Sequence, residues 1–221
     1  MPKAFQNMNM NTKLFIALFA STTLFSCGGG GKDKDISKVE VVDIGGKIWM
    51  AENLSISNFK NGDPIPQITD NGEWRKAGEE GNPAWCYYEN DAVYGEKYGK
   101  LYNWHAINDP RGLAPDGWHI PSDEEWTQLT EKIGTKAGTL MKSKAWVGGQ
   151  GTGESGFNAL PGGIRNHDGS FHLQGNYSVW WSATPGQSNF AWFRFITSVN
   201  SFVSRDYSNK AKGLSVRLVK D

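Results

Sequence analysis

The sequence has little cysteine, no excess of either charge and no apolar run long enough to cross a bilayer. Two of its 221 residues are cysteines, so disulfide bonds cannot be the main support of the fold. Basic and acidic side chains number 23 each, which argues against nucleic acid as a partner because such proteins need a concentrated basic face. The length suits one well-buried domain and is short for two.

The first 26 residues have the features of an export signal. They contain Lys3 and Lys13 and no acidic residue, and an apolar run follows at residues 14–25. About twelve apolar residues are too few to span a bilayer and match the core of a secretory signal. The run ends in Ser26 and Cys27, which resembles a bacterial lipobox, where the cysteine is acylated and becomes the mature N-terminus. We therefore predict a lipoprotein signal peptide at residues 1–26 and lipidation of Cys27, with palmitate as one of its acyl groups. The alternative is a plain signal peptide cleaved nearby.

Residues 27–38 are predicted to form a lipidated cysteine and a flexible polar tether, because glycines and alternating charges offer no packing face. The folded domain is then residues 39–221. A lipidated Cys27 cannot pair with Cys86, the other cysteine. We interpret Cys86 as a small buried hydrophobe in preference to a nucleophile.

Large rings and glycines are abundant. All ten tryptophans lie in the predicted domain, and the chain has 27 glycines. This composition favours a compact fold with long loops, held together by ring packing more than by regular elements.

One helix start is well marked. Ser122 can cap the helix and Glu125 follows three residues later, the spacing of a capping box. Trp126 and Leu129 then fall on one face, and Gly134 offers an end. The acidic residues in this first turn are explained by the positive end of the helix dipole, so we do not interpret them as a catalytic pair.

The remaining pattern predicts an α+β domain. A hairpin is predicted within residues 39–54 around two glycines, and residues 58–83 are predicted to be loop. A first main helix is predicted at 98–107, with the capped helix at residue 122 as the second and a shorter piece at 137–143. A short strand is predicted at 85–88. Three strands at 191–196, 201–205 and 214–219 are predicted to form an antiparallel meander.

Several segments resemble the Fibrobacter succinogenes major paralogous domain, in the order of that family and over about residues 39–221. The matching segments are YGKLYNW at 98–104, GWHIP at 117–121, EW at 125–126, GFNALPGG at 156–163, Arg165, DGSF at 168–171, WWSAT at 180–184 and GLSVR at 213–217. The number of matched tryptophan and glycine positions makes the resemblance specific.

The resemblance implies a fold similar to the C-type lectins and the formylglycine-generating enzymes, with two main helices packed on a twisted antiparallel sheet and long loops. The family occurs in the Bacteroidetes and Fibrobacteres, often on secreted proteins or lipoproteins, and its biochemical function is largely undefined. Many members have two cysteines where this chain has Ala114 and Leu218. If those cysteines form a disulfide in the family, this chain must close the same seam by apolar packing.

No catalytic constellation accompanies the resemblance. A single cysteine in the domain cannot build a paired-cysteine site, and the calcium-binding tripeptides of C-type lectins do not occur. His167 and His172 lie five apart on a predicted turn, and we interpret them as solvent-facing in preference to metal ligands. His119 is interpreted as a hydrogen-bonded structural residue. We therefore predict that the protein is not an enzyme and that it needs no cofactor or metal.

Adjacent Trp180 and Trp181 point to opposite faces if they lie in a strand, so one ring can be outward. We predict a ligand-binding face from an outward Trp181 and nearby polar groups, since flat rings stack on sugar faces. The other candidate residues of this face are Arg165, Asn166, Asp168 and Tyr177. The alternative is that both rings are structural.

The function predicted from these features is a lipid-anchored cell-envelope protein, located in the outer membrane, with a non-catalytic lectin-like domain for binding or adhesion. Its expected partners are the membrane, through the N-terminal lipid, and a polysaccharide or surface protein. The alternatives are a structural envelope protein or, with less support, an enzyme related to the formylglycine-generating group.

Overall fold

The structure is a computed structural model that describes residues 33–146, 148 and 151–221. The predicted signal peptide and Cys27 lie outside the described residues. The described part is a mixed α and β fold of antiparallel sheets with few helices. No helix in it combines the length and apolar character needed to cross a bilayer.

The helices and strands are mostly short. The helices are α1 (Asn71–Glu80), α2 (Ala92–Tyr98), α3 (Trp104–Ile107), α4 (Asp123–Ile133) and α5 (Ala137–Met141), with 3-10 turns at Ile36–Lys38 and Tyr88–Asn90. The strands are β1 (Val41–Ile44), β2 (Lys47–Met50), β3 (Trp85–Cys86), β4 (Leu101–Tyr102), β5 (Trp118–His119), β6 (Ile164–Arg165), β7 (Phe171–His172), β8 (Tyr177–Pro185), β9 (Phe190–Thr197), β10 (Ser204–Asn209) and β11 (Val219–Lys220).

The predicted N-terminal hairpin is confirmed. Strands β1 and β2 pair antiparallel across Gly45 and Gly46, which both have positive φ and so suit a tight turn. The last strand, β11, lies between β2 and β5, with Val219 opposite both Trp49 and His119. The two ends of the domain are therefore joined in one four-stranded sheet.

The predicted meander is only partly correct. Strands β8, β9 and β10 form a three-stranded antiparallel sheet, but β11 joins the other sheet. The register of β8 to β10 places Trp181, Phe193 and Asp206 on one face. Trp192 and Tyr207 lie on the opposite face.

Helix α4 confirms the predicted capping box. Ser122 Oγ accepts a hydrogen bond from the Glu125 backbone N–H at 3.2 Å, and a Glu125 carboxylate oxygen accepts one from Ser122 N–H at 2.9 Å. Trp126 and Leu129 are buried, and Gly134 caps the C-terminus. All these signals are local in sequence, which is why the pattern alone predicts this helix correctly.

The predicted helix at 98–107, and with it the expectation of two main helices, is wrong. Helix α2 ends at Tyr98, Gly99 takes φ 77° and ψ −162°, and the chain continues as β4, which pairs with β3. Only one turn, α3, follows. A Cβ on Gly99 would lie 2.9 Å from Leu54 O, so close backbone packing sets this break and the helical spacing does not reveal it.

The predicted loop at 58–83 contains α1, which is a second error. Asp70 accepts a hydrogen bond from Glu73 N–H as the N-cap, and Gly81 ends the helix at φ 76°. Trp74 and Ala77 provide the buried face. These start and stop signals are present in the sequence, but the many glycine, asparagine and proline residues around them obscure the helical period.

The core is built from rings. Trp126 packs against Trp49, Phe157 and Trp180, with ring centroids 5.2, 5.9 and 5.6 Å apart. The predicted cementing by aromatic residues is confirmed, since these four rings are among the fully buried side chains. Leu218 is also fully buried, and Ala114 packs partly buried against the same cluster, so apolar contacts occupy the region of the missing cysteine pair.

Buried cations tie the loops to this core. Arg217 donates to Met50 O and Phe157 O at 2.7 Å each and stacks over the Phe157 ring at 4.3 Å. Burial lowers the pKa of Arg217 to about 9. Lys142 is fully buried and donates to Asn200 O at 2.8 Å. Such contacts satisfy loop carbonyls that would otherwise be buried without partners.

Candidate functional site

The two adjacent tryptophans of β8 are both inside the molecule. Trp180 and Trp181 have 0% exposed surface, so the prediction that Trp181 faces outward is wrong and the alternative, two structural rings, is correct. Trp180 Nε1 donates to Asn53 Oδ1 and Trp181 Nε1 donates to Tyr102 O, each at 2.9 Å. Strand β8 is covered on both faces, which a local sequence pattern does not reveal.

Arg165 is also buried and is fully occupied by the protein. Its guanidinium donates five hydrogen bonds, of 2.5–3.2 Å. The acceptors are Gly169 O, Ile68 O, Thr69 O, Asp70 O and Asn71 Oδ1. The guanidinium lies between the Trp74 ring at 4.4 Å and the Phe171 ring at 4.9 Å. Arg165 therefore holds the chain before α1 in place, and it has no free donor geometry aimed at solvent.

The other predicted site residues lie apart from one another. Asn166 is half-buried and Asp168 is exposed, both in the turn between β6 and β7, where Asp168 Oδ1 accepts from Ser170 N–H at 2.9 Å. Tyr177 is half-buried and stacks on Phe195, with centroids 6.1 Å apart. The five predicted residues do not line one open pocket, because Arg165 and Trp181 are covered.

A group of exposed and half-buried rings lies instead on β9 and β10. We call Phe190, Trp192 and Tyr207 the aromatic platform. Tyr207 is 56% exposed and Phe190 is 40% exposed, and Trp192 is half-buried. The Tyr207 ring meets Phe190 at 5.7 Å and Trp192 at 5.6 Å, edge to face in both pairs. The concave surface over the platform has a volume of about 710 Å³.

Charged residues on the same face of the sheet brace the platform. Arg205 stacks on the Trp192 ring at 3.5 Å and donates to Asp123 Oδ2 at 2.7 Å. Arg194 donates to Asp123 Oδ1 at 2.7 Å. Two strand residues are thereby joined to the start of α4, so the rings rest on a rigid support.

Polar groups border the platform on one side. The turn at residues 186–189 closes with hydrogen bonds from Gly186 N–H to Phe190 O and from Phe190 N–H to Gln187 O, both 2.9 Å. Lys210 Nζ donates to Ser188 O at 2.8 Å and holds this turn against β10. The exposed side chain of Gln187 lies at the edge of this concave surface, whereas Asn189 lines a different depression together with Lys210. Sequence reasoning missed this site, although the aromatic residues in both registers of β9 were a signal for it.

A smaller cavity lies on the other face of the same sheet. We call it the Lys212 cavity; its volume is about 130 Å³. Its lining residues are Ile164, Leu173, Tyr177, Val179, Phe193, Phe195, Asp206, Ser208, Lys212 and Leu214. Most of this lining is apolar, and Asp206 and Lys212 are its charged members. Burial lowers the pKa of Lys212, against the opposing effect of the Asp206 charge.

His119 is held between two carboxylates. Its Nδ1 lies 2.6 Å from Asp221 Oδ1 and its Nε2 lies 2.9 Å from Glu125 Oε1, to which Lys47 Nζ also donates at 2.7 Å. Burial alone lowers the pKa of His119, but the bonds to Glu125 and Asp221 outweigh it and the pKa is raised. Burial raises the pKa of Glu125, but its bonds to Lys47, Ser122 and His119 outweigh this effect and lower the pKa to about 2. The cluster joins β5, α4 and the C-terminal residue.

Other reactive side chains are dispersed. Burial raises the pKa of the Cys86 thiol to about 12, so it is not a nucleophile at neutral pH. His172 Nε2 lies 2.9 Å from Ser170 Oγ, and His167 Nδ1 lies 3.2 Å from Asn166 Oδ1. Among the residues that the structure describes, no three His, Cys, Asp or Glu side chains are grouped as metal ligands.

The family resemblance is confirmed by comparison with protein families. A family model described as the Fibrobacter succinogenes major domain matches residues 42–220. The match covers most of the chain, so the protein belongs to this family. Searches of curated proteins and of solved structures gave no match.

Proposed function

We propose that this protein is a lipid-anchored envelope protein whose domain binds a polysaccharide on the aromatic platform. The anchor is proposed from the basic start, the short apolar run and the small residue before Cys27. A C-type-lectin-like arrangement of the domain belongs to the same proposal. Its support is the antiparallel sheet against which α4 packs, with the Trp126 and Trp180 rings 5.6 Å apart.

The observation that carries the binding proposal is the exposure of large rings on a rigid support. Exposing Tyr207 and Phe190 to water has no benefit for folding, because burial of such rings is favourable. Flat rings stack on the apolar faces of sugars, and the neighbouring Gln187 amide can bond sugar hydroxyls. The nearly neutral chain adds no strong field, so a neutral polysaccharide is the expected ligand.

The binding proposal is tested by titrating the purified full chain with soluble dextran, laminarin and xylan by calorimetry. At least one should bind, and Tyr207→Ala and Phe190→Ala should each weaken binding at least tenfold, about 1.4 kcal/mol. Phe202→Ala is the matched control, because Phe202 is 52% exposed in the turn at the far end of the β9–β10 hairpin. Unchanged affinity in both platform variants, or a platform used only for self-association, would contradict the proposal.

The anchor is tested separately by labelling cells with palmitate. Wild-type protein should incorporate label in the membrane fraction, and Cys27→Ser should lose it. Label that persists in Cys27→Ser would reject the anchor without affecting the binding proposal.

A further inference from the structure

The Lys212 cavity has an ammonium group with nothing to bind. Among the described residues, Lys212 Nζ has no hydrogen-bond or ion-pair partner, and the hydrogen bond that Lys212 makes is from its backbone N–H to Asn209 O. The other partly or fully buried lysines are satisfied: Lys100 pairs with Asp33, and Lys142 donates to Asn200 O. Lys212 is half-buried among mostly apolar residues, so a ligand carboxylate would supply a charged partner that the described residues do not.

The aromatic wall of the cavity is continuous. Phe195 lies between Tyr177 and Phe193, with ring centroids 6.1 and 5.6 Å away. Behind the wall, the Trp181 ring meets Phe193 edge to face at 6.4 Å. Val179 and Leu214 are buried in the core and form an apolar floor. The wall is therefore backed by packed residues and keeps its shape without a ligand.

The size of the cavity limits its occupant. An apolar cavity of about 150 Å³ accommodates benzene. The Lys212 cavity, at about 130 Å³, therefore encloses one ring or one branched aliphatic group, and charged groups of a ligand would lie at its edge, where Asp206 is exposed and Lys212 is half-buried.

Its rim contains a strained residue. Leu173 has φ 70°, a left-handed conformation that costs a leucine about 1–2 kcal/mol relative to glycine, and its side chain is 39% exposed. Strain of this kind persists where the surrounding structure holds it, often beside ligands. A glycine at this position would relieve the strain. The stability of the fold therefore does not explain why a leucine side chain stands at the cavity rim.

The two charges at the cavity complete the description of the ligand. Asp206 lies opposite Phe193 in the β9–β10 register and so faces the cavity, and its charge acts on Lys212 without a direct ion pair. A ligand carrying both a carboxylate and an ammonium would match both groups. A purely anionic ligand would be repelled by Asp206 and a purely cationic one by Lys212.

We propose that the Lys212 cavity binds an apolar α-amino acid of leucine or phenylalanine size. The ligand carboxylate pairs with Lys212, its ammonium pairs with Asp206, and its side chain lies against Tyr177, Phe193 and Phe195. This site is separate from the aromatic platform, because Asp206 and Tyr207 are neighbours in β10 and point to opposite faces.

The proposal is tested by calorimetry and ligand-observed NMR on the full chain with phenylalanine and leucine, each as both enantiomers. Phenylacetate and phenethylamine serve as ligands with one charge each. We expect binding of at least one amino acid, and at least tenfold weaker binding of both half-ligands. If no amino acid binds at about 10 mM, a concentration at which only recognition too weak to be specific would go undetected, the proposal is overturned. Equal binding of phenylacetate or phenethylamine would also overturn it.

Three variants test the assigned contacts. Lys212→Met and Asp206→Asn should each weaken binding at least tenfold, and Leu173→Gly should weaken it less. Lys212→Met should also raise the melting temperature, because it removes a partly buried charge without a partner, so lost binding cannot be attributed to unfolding. Lys220→Met, at an exposed lysine of β11, is the matched control and should bind as wild type. Wild-type affinity in Lys212→Met would overturn the proposal. Tyr207→Ala should leave amino-acid binding intact, which separates this result from any failure of the polysaccharide proposal.

Discussion

Replacement of Arg165 by methionine should destabilise the fold rather than remove a surface contact. The methionine keeps an unbranched apolar stem between Trp74 and Phe171 but removes all five hydrogen bonds of the guanidinium. Four of the acceptors are backbone carbonyls, and three of these belong to residues 68–70 immediately before α1. In the variant these carbonyls lose their charged donor, and the methionine side chain that covers them in its place offers no hydrogen bond.

The magnitude follows from those acceptors. A buried polar group left without its partner costs about 1–3 kcal/mol, and hydrogen bonds to charged groups contribute about 1.5–3 kcal/mol each. The terms are not additive, because carbonyls near the surface regain water and the guanidinium no longer has to be desolvated. We expect a loss of about 3–5 kcal/mol in the free energy of unfolding, a large share of the total for a single domain.

The assay is urea unfolding of the full chain, followed by tryptophan fluorescence and far-ultraviolet circular dichroism. Arg75→Met is the matched control, because Arg75 is exposed on α1, and should lie within about 0.5 kcal/mol of wild type. A loss below about 1 kcal/mol for Arg165→Met would refute the reasoning about buried carbonyls. Because Arg165 supports the fold, weak ligand binding by an Arg165 variant would indicate lost structure and not a lost contact with the ligand.

Three further predictions concern pH, backbone geometry and thiol access. His119 has a folded pKa above its ordinary 6.5, so it stabilises the fold at low pH and this contribution is lost as pH rises through the folded value. Glu125 has a folded pKa of about 2 against an ordinary 4.5, so its contribution is present above about 4.5 and is lost as pH falls towards 2. The melting temperature of wild type minus that of His119→Gln should therefore be larger at pH 5.5 than at pH 8.5, and an equal difference would count against the carboxylate contacts. Gly99→Ala should cost at least about 1–2 kcal/mol by urea unfolding, because φ is 77° and the Cβ would approach Leu54 O; a neutral result would contradict the close packing. Cys86 should react with iodoacetamide only after unfolding, since it is fully buried, and rapid labelling of the native protein would show that the site opens.

Elements with local signals were predicted correctly. The β1–β2 hairpin depends on two adjacent glycines between strand-forming residues, and α4 depends on Ser122, Glu125 and the apolar face that follows. In both, the residues that decide the conformation lie within a few positions of one another. The same holds for the alternation at residues 214–218, where Leu214 and Leu218 enter one apolar cluster while Arg217 reaches the other side.

Elements decided by distant contacts were predicted wrongly. The apolar spacing at 98–107 fits a helix, but Leu54 lies so close to Gly99 that the chain must extend there and pair with β3. The predicted strand at 214–219 was assigned to the meander because it follows β10 in sequence, but only its last residue lies in a strand, β11, and β11 pairs with β2 and β5. Pairing partners in a sheet depend on which edges the rest of the fold leaves open, and no local pattern contains that information.

The candidate site shows the same division. Trp180 and Trp181 were expected on opposite faces if they lay in a strand, and in β8 they enter different core clusters, but both faces are covered. Strand β9 also has aromatic residues in both registers, and there one face remains open, at Phe190. Alternation assigns a side chain to a face of a sheet, whereas only the packing of α4 and the loops decides whether that face meets water.

The amino-acid sequence by itself determined the family, the local caps and turns, and the reliance on ring packing in place of disulfides. It also predicts the export signal. Each of these depends on residue types at short spacing. Only the tertiary structure decided that Arg165 and Trp181 are internal supports, that Tyr207 is exposed and that Lys212 lines a cavity. Exposure is a property of what the rest of the chain packs against a residue, so it is set by contacts between segments far apart in sequence.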